Sequence, residues 1–184
     1  MKERIGDWMQ TYTGRQFWPL DPRPEDVCLE DIFWALSNVA RFGGHANRFY
    51  SVGEHSLLVM ALAPRELARE ALLHDAAEAY IGDMVRPLKR DMPKFQDAEA
   101  RIVVAIGLAV GLDLSPHPAI HKADNMALAI EKRDLLNQEP APWQPLPTPP
   151  RWLWIARGQQ QPADTYGALL ETWHLFSVGE GGSQ

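Results

Sequence analysis

The sequence has 184 residues, enough for one domain with a buried core and too few for two ordinary domains. Its net charge is -6 and its pI is about 5.5, which disfavours binding to a nucleic-acid duplex, so we expect no nucleic-acid partner. No apolar run is long enough to span a membrane, and the N-terminus lacks the apolar stretch of a signal peptide. We therefore expect a cytoplasmic protein. Cys28 is the sole cysteine, which excludes an intramolecular disulfide and a cysteine-based zinc site.

The first 28 residues predict an ordered arm without a helix. Three prolines fall within residues 19–24, and so many cannot be accommodated in a helix interior. Trp8, Phe17 and Trp18 supply large apolar surfaces that we expect to pin this arm to the body of the protein.

Apolar residues at helical spacing predict a first helix over residues 30–42, ending before a Gly-Gly pair. Ser51 and Glu54 form a capping-box pattern, which predicts a second helix that carries His55. The segment 65–80 shows the clearest helical periodicity in the chain and predicts a third, continuous helix.

The second half of the chain continues this pattern. Two prolines predict a loop over residues 83–93, and renewed periodicity predicts helices over residues 94–110, 118–137 and 164–176. We expect a homo-oligomer, although the apolar residues of 102–110 fit the protein core equally well.

Six prolines in residues 139–150 predict an extended linker, followed at 152–155 by a short strand or a packed extended segment. Residues 179–184 predict a disordered tail. With about six helices and few strand candidates, residues 1–178 are predicted to form a single all-α domain with an ordered N-terminal arm and a Pro-rich C-terminal segment.

Three polar residues, His74, Asp75 and Glu78, interrupt the otherwise apolar stretch 71–78 of the third segment. On a helix His74 and Glu78 would share a face, and Asp75, about 100° round, could converge on the same point. Burying these groups without partners would cost several kcal/mol. A divalent cation is a suitable partner, because imidazole and carboxylate groups are ligands for zinc, manganese, iron and cobalt. A helix face turned to water would account for the His-Asp pair equally well.

His55 and Asp124 strengthen the metal interpretation. His55 lies early in the apolar second helix, and Asp124 lies within the apolar pattern of residues 118–137. Facing helices of a bundle commonly build metal sites from such inward-pointing side chains. Three predicted helices thus offer a histidine, a His-Asp pair and an aspartate.

The ordered set His55, His74-Asp75 and Asp124 resembles the signature of the HD-domain phosphohydrolase superfamily. Residues 74–89, HDAAEAYIGDMVRPLK, are similar to the corresponding region of the bacterial HD-type 5'-deoxynucleotidases. The helix that carries Asp124 continues to Glu131 in a similar way. The implied fold is an HD-domain helical bundle.

The resemblance covers roughly residues 30–136. The short length and the N-terminal arm look more like compact HD proteins of phages and their bacterial relatives, some of which are dATP triphosphohydrolases. A phage-encoded protein would act in the host cytoplasm.

The resemblance implies roles for individual residues. Four residues would hold the first metal, namely His55, His74, Asp75 and Asp124. Glu78 would act behind them or as the general base, and Asp83 would assist Glu78 or hold a further metal. The implied cofactor is cobalt, manganese, zinc or magnesium, with two or more ions per site as an open alternative.

The same resemblance implies contacts with the substrate, a small-molecule deoxynucleotide. Arg41 stands where the family places a phosphate-binding arginine, and Phe42 stands where the deoxynucleotidases carry tryptophan. Pro87 would pack against the base or shape its loop. Lys89 and Lys122 would offset phosphate charge, although a solvated surface role suits each of these cations equally well.

The implied chemistry is hydrolysis by a metal-activated water, with Glu78 accepting or returning a proton. The cluster of Arg86, Lys89 and Arg90 favours a triphosphate. A dNTP triphosphohydrolase that prefers dATP and releases triphosphate therefore leads over a 5'-deoxynucleotidase that acts on dNMPs. A non-catalytic nucleotide sensor, a purely structural helical domain and an HD enzyme for cyclic dinucleotides or alarmones remain alternatives.

Overall fold

The structure is a computed structural model that describes residues 3–155, 158 and 160–178. This part of the chain contains eight α-helices and a single two-stranded hairpin, which confirms the all-α prediction. No helix within the described ranges is both long and apolar enough to cross a membrane. The predicted tail, 179–184, lies outside the described residues.

The N-terminal arm is ordered, as predicted, but it contains a small hairpin. Strand β1 (Met9–Gln10) pairs antiparallel with β2 (Gln16–Phe17). The Phe17 ring is fully buried and stacks on Tyr80, with 3.6 Å between ring centroids. Trp8 is 45% exposed, so the arm is anchored by Phe17 and not by Trp8.

The first two helices frame a short connection. Helix α1 (Leu29–Asn38) ends four residues before the predicted boundary. The chain leaves the helical conformation because the backbone of Ala40 is extended and forms an isolated antiparallel bridge with Ser51. A 3-10 turn follows at Arg41–Gly44. Helix α2 (Val52–Leu62) begins with the predicted capping box, in which Ser51 and the third residue of the helix bond each other's backbone N–H groups.

The prediction of one continuous helix over residues 65–80 is wrong. The chain instead forms a 3-10 turn (Arg65–Leu67), helix α3 (Ala68–Leu72), tight turns over 73–77 and helix α4 (Glu78–Ile81). Nδ1 of His74 lies 2.8 Å from the Ala71 carbonyl oxygen, which a continuing helix would need for the Asp75 N–H. The His74 side chain therefore competes with the Asp75 N–H for the Ala71 carbonyl. The turns are instead closed by i to i+3 backbone hydrogen bonds, such as the one that the Glu78 N–H donates to the Asp75 carbonyl oxygen.

The predicted loop over residues 83–93 contains a short helix, α5 (Arg86–Lys89). Pro87 occupies its second position, where the missing N–H would have no helical partner in any case. Proline therefore starts this helix, whereas the sequence pattern had indicated only a break.

The remaining helices agree with the predictions to within a few residues. They are α6 (Pro93–Val110), α7 (Pro118–Leu135) and α8 (Pro162–Val178). Helix α6 ends at Gly111, which adopts a left-handed conformation with φ 70°.

The segment 152–155 forms no strand with any described residue, and Arg151 and Trp152 form a turn. Trp152 and Trp154 are 74% and 68% exposed, so this segment is not packed through its tryptophans. Its backbone is held by α7, since Arg133 donates to the Leu153 carbonyl at 2.6 Å and Asp134 accepts from the Ile155 N–H at 2.9 Å.

Helix α2 lies between the other major elements. It packs against α1 and α8 on one side and against α3 and α7 on the other. The main core includes the fully or almost fully buried residues Ile32, Phe33, Leu36, Leu72, Ile102 and Leu169. A smaller cluster around Val59, Ala123 and Ala127 joins α2 to α7. This packing brings the middle of α2 against both the 73–77 turns and the first half of α7.

We predict that Phe17→Ala lowers the free energy of unfolding by about 3–4 kcal/mol, because it removes a fully buried aromatic side chain and its stacking partner for Tyr80. Denaturant melts followed by circular dichroism measure this loss. Trp8→Ala is the matched control and should cost less than about 1 kcal/mol, since Trp8 is 45% exposed whereas Phe17 is fully buried. Equal losses in the two variants would contradict this account of the arm.

Candidate metal centre

Side chains from three separate segments meet where α2, α7 and the 73–77 turns come together. His55 comes from α2, His74 from the turns and Asp124 from α7, and one ligand atom of each lies within 4.8 Å of the other two. His55 is fully buried, and the other two are partly exposed. This cluster could hold a metal ion.

The two nitrogens of His55 have different surroundings. Nδ1 lies 2.6 Å from Oε1 of Glu131, and because a carboxylate only accepts hydrogen bonds, Nδ1 carries the proton. The opposite nitrogen, Nε2, lies 3.3 Å from Asp124 Oδ1 and 3.5 Å from Asp75 Oδ2. Nε2 of the ring thus faces two carboxylates.

His74 repeats this arrangement with a backbone partner. Its Nδ1 donates to the Ala71 carbonyl, and its Nε2 lies 3.2 Å from Asp75 Oδ2. Within the described part of the chain, neither histidine has a hydrogen-bond partner for its buried Nε2. An unprotonated Nε2 and the carboxylate that it faces repel each other unless a cation or a proton lies between them. The residues therefore fit a divalent cation.

Both aspartates of the cluster are held in their charged form. Burial raises the pKa of Asp75, but neighbouring His74 and His55 outweigh that effect and hold the pKa well below its usual range. Burial also opposes ionisation of Asp124, and contact with His55 nevertheless lowers its pKa. Ionised carboxylates are the form that binds metal ions.

His55 itself has an unusual proton affinity. Burial and the charge of Arg41 lower its pKa, yet Glu131 and Asp124 together outweigh them and raise the pKa to about 9. Without a cation, a proton on Nε2 therefore occupies the place that suits a metal. Metal binding should displace that proton.

Arg41 is nearly buried and lies between two carboxylates. Its Nη2 is 3.1 Å from Glu131 Oε2, and its Nη1 is 3.6 Å from Asp75 Oδ2. The next residue, Phe42, has a left-handed backbone with φ 56°, which is uncommon for a residue other than glycine, and its ring lies 5.3 Å from the guanidinium carbon. The predicted phosphate-binding arginine is thus placed beside the metal cluster.

Glu78 and Asp83, the predicted catalytic pair, lie close enough to Asp75 to feel its charge. Burial, followed by the negative charges of Asp75 and Asp83, raises the pKa of Glu78 to about 10. Burial also raises the pKa of Asp83. In the absence of a cation Glu78 therefore holds a proton at neutral pH, and its buried Oε2 has no hydrogen-bond partner among the described residues.

A cleft of about 660 Å³ opens next to the cluster, between α6, residues 112–117 and α7. One end is polar and includes His74, Asp75 and Asp124. The rest is largely apolar, with walls that include Val103, Leu108, Leu112, Leu114 and Ile120. The cleft thus joins the candidate ligands to an apolar space.

Of the five predicted substrate residues, only Lys89 lines this cleft. Its Nζ pairs with Oε1 of Glu99 at 2.6 Å. Pro87 and Lys122 are exposed outside the cleft lining, as are Arg86 and Arg90. The predicted basic cluster therefore contributes one cation to the cleft wall.

Glu131 is the site residue whose position the sequence reasoning missed. The resemblance indicated a glutamate here but gave it no function. The sequence held one indication of its position. Residues 124 and 131 are two turns apart on α7, so Glu131 shares a helix face with Asp124. Its partner Arg41 is 90 positions away in the chain, and no local pattern links them.

The fold and the site together define an all-α protein with a histidine–carboxylate cluster, built around the fully buried His55, that could hold a metal ion. No protein-family model matches the chain. It is 35% identical over 170 residues to the uncharacterized protein YfdR of Escherichia coli K12, an alignment that covers 92% of this chain and 96% of YfdR. It is also 37% identical over 142 residues to the uncharacterized protein RCAP_rcc00048 of Rhodobacter capsulatus, covering 70% of this chain and 72% of that relative. The chain belongs to the YfdR family.

We predict that the metal-free protein loses stability as the pH rises from about 6.5 to about 9. The pKa of His55 is raised from 6.5 to about 9, so its contribution is complete below 6.5 and is lost as the pH rises through 9. Glu78, with its pKa raised from 4.5 to about 10, acts in the same direction. Melting temperatures in a chelating buffer should fall by several degrees across this range.

Saturating Co²⁺ should reduce this slope, because the cation takes over the role of the proton on His55. His55→Gln should reduce the slope of the metal-free protein as well, since it removes the titrating ring. A melting temperature that stays constant between pH 6.5 and 9 without metal would show that His55 does not titrate as described.

Proposed function

We propose that this protein is a metal-dependent phosphohydrolase of the HD type that acts on deoxynucleotides. The observation that carries the proposal is the pair of unpartnered Nε2 atoms, on His55 and His74, that face the carboxylates of Asp75 and Asp124. These are the four residues, in the same chain order, whose pattern resembles the HD signature.

The four residues would hold a divalent cation such as cobalt, manganese, zinc or magnesium. When bound, the cation would supply positive charge that offsets a phosphate oxyanion and would acidify a water molecule. Helical segments and a core turn supply all four side chains, which suits a site that must keep its ligands in fixed positions.

Glu78 is the residue we propose for proton transfer. It holds a proton in a buried position next to the negative charges of Asp75 and Asp83, and added positive charge at the cluster would lower its pKa towards neutral pH. A carboxyl group whose pKa lies near the working pH can both accept and return a proton. Asp83 acts in this proposal by raising the proton affinity of Glu78.

The cleft supports an organic phosphate as substrate. Its volume of about 660 Å³ lies within the range of sites that enclose nucleotide-sized ligands, and its apolar wall suits a base or sugar. Lys89 lines the cleft and could exchange Glu99 for a phosphate oxygen. We propose a dNTP triphosphohydrolase with a preference for dATP as the leading form, and a 5'-deoxynucleotidase as the alternative.

We predict that the protein, supplied with Mn²⁺ or Co²⁺, converts dATP to deoxyadenosine and triphosphate. Asp75→Ala should reduce the rate by at least about 100-fold, because it removes a charged side chain that lies within 3.5 Å of Nε2 of both His55 and His74. Asp97→Ala is the control, since this exposed carboxylate of α6 lies outside the cleft lining and should leave the rate unchanged. Chromatography of the products measures both.

The products distinguish the candidate activities. Inorganic phosphate released from dNMPs alone would replace the triphosphohydrolase by a 5'-deoxynucleotidase. Bound metal without turnover of any dNTP or dNMP would count against the enzyme proposal and favour a nucleotide sensor.

We predict opposite effects of Glu78→Gln on activity and stability. The rate should fall by about 100-fold or more, because the amide cannot transfer the proton. The metal-free protein at pH 8 should gain about 1–2 kcal/mol, because the variant no longer places a buried ionisable group close to the negative charges of Asp75 and Asp83. Steady-state kinetics and denaturant melts test the two effects separately, and a loss of both activity and stability would point to a structural role for Glu78.

A further inference from the structure

Glu131 is a fully buried carboxylate in an apolar stretch of α7. Its neighbours in the helix include the buried residues Leu128, Ala129 and Ile130. A charged group in such a place costs stability unless its partners compensate it, and an apolar residue would serve packing alone at least as well. We infer that Glu131 is a positioning residue that joins the metal centre to Arg41.

The two oxygens of Glu131 bind two different groups. Oε1 accepts from His55 Nδ1 at 2.6 Å, and Oε2 accepts from Arg41 Nη2 at 3.1 Å. The side chain therefore spans the space between a candidate metal ligand and a cation that faces the same cluster.

The first contact selects the form of His55 that can bind a metal. With its proton on Nδ1, the ring presents a bare Nε2 to Asp124, 3.3 Å away. The ring could in principle turn, or carry its proton on the other nitrogen, and either change would remove the ligand atom from the cluster. A carboxylate behind a histidine ligand also makes that ligand more basic.

The second contact sets the direction of Arg41. With Nη2 held by Glu131, Nη1 lies 3.6 Å from Asp75 Oδ2. Glu131, His55, Asp75 and Arg41 thus form a closed ring of contacts. Loss of the Glu131 charge would free the imidazole and also leave a nearly buried guanidinium without its nearest anion.

The inference rests on the proposed metal centre, so its test measures metal binding directly. The full-length protein is titrated with Co²⁺, and binding is followed by visible absorption and by calorimetry. Glu131→Gln should weaken Co²⁺ binding by about 10- to 100-fold, the usual effect of removing a partner behind a metal ligand. Arg41→Gln should weaken it by less than about threefold, because His55 keeps Glu131.

Asp31→Asn is the matched control. Asp31 is also almost fully buried, but it accepts from the Thr13 N–H and hydroxyl and holds the N-terminal arm. This variant should lose stability and keep its Co²⁺ affinity. If Asp31→Asn weakens Co²⁺ binding as much as Glu131→Gln, the effect is a general loosening and the inference is overturned.

A second measurement uses the unaltered protein loaded with Zn²⁺, in case Glu131→Gln does not fold. Proton–nitrogen correlation NMR should show a protected Nδ1 proton on His55, shifted downfield by its carboxylate partner. The signal is assigned by its disappearance in His55→Gln. A rapidly exchanging His55 proton in the loaded protein would overturn the inference.

The outcomes separate this inference from the proposed function. If the unaltered protein binds no Co²⁺, both fail. If it binds Co²⁺ and Glu131→Gln binds it equally well, only the role of Glu131 fails. If Glu131→Gln weakens binding while no deoxynucleotide is hydrolysed, the role of Glu131 stands and the proposed phosphohydrolase activity falls.

Discussion

A fully buried imidazole with carboxylates at both of its nitrogens is the constraint around which this protein is built. His55 lies in α2, which packs against α1, α3, α7 and α8, and its side chain is fully buried. Burial of so polar a group would be costly without partners, and two neighbouring segments supply them. Asp124 and Glu131 come from α7, and Asp75 comes from the turns after α3. The contacts that build the candidate metal site are therefore also contacts between the segments that pack together.

The sequence predicted the helices well where local signals determine the backbone. The boundaries of α2, α6 and α7 follow from a capping box, an apolar stripe and a terminal glycine, all of which act locally. Prediction failed over residues 65–80, where periodicity was clearest. There the His74 side chain takes the carbonyl that the helix would need, so a residue of the candidate site overrides a strong propensity.

The same contrast holds within the site. Residue types indicated His55, His74 and Asp124 as candidate ligands, and together with the order of the HD signature they predicted the group that the structure brings within 4.8 Å. The pairing of Arg41 with Glu131 depends on how α1, α2 and α7 pack, and sequence spacing carries no information about it. Lys89 is the one predicted substrate residue that lines the cleft. Its placement depends on α5, a helix within the segment that the prolines had led us to predict as a loop.

The turns at 73–77 limit how far the side chains of the candidate metal centre can move. Leu73, Ala76 and Ala77 are about 1% exposed, so His74 and Asp75 are carried by part of the core and not by a surface loop. A close-packed interior resists displacement, and the ligand atoms there have little freedom to follow ions of different radius. The cleft wall at residues 112–116 is irregular, and its residues are partly or fully exposed. If the proposed metal centre is correct, the rigid 73–77 turns would limit which cations fit. The irregular residues 112–116 would adjust to a bound substrate.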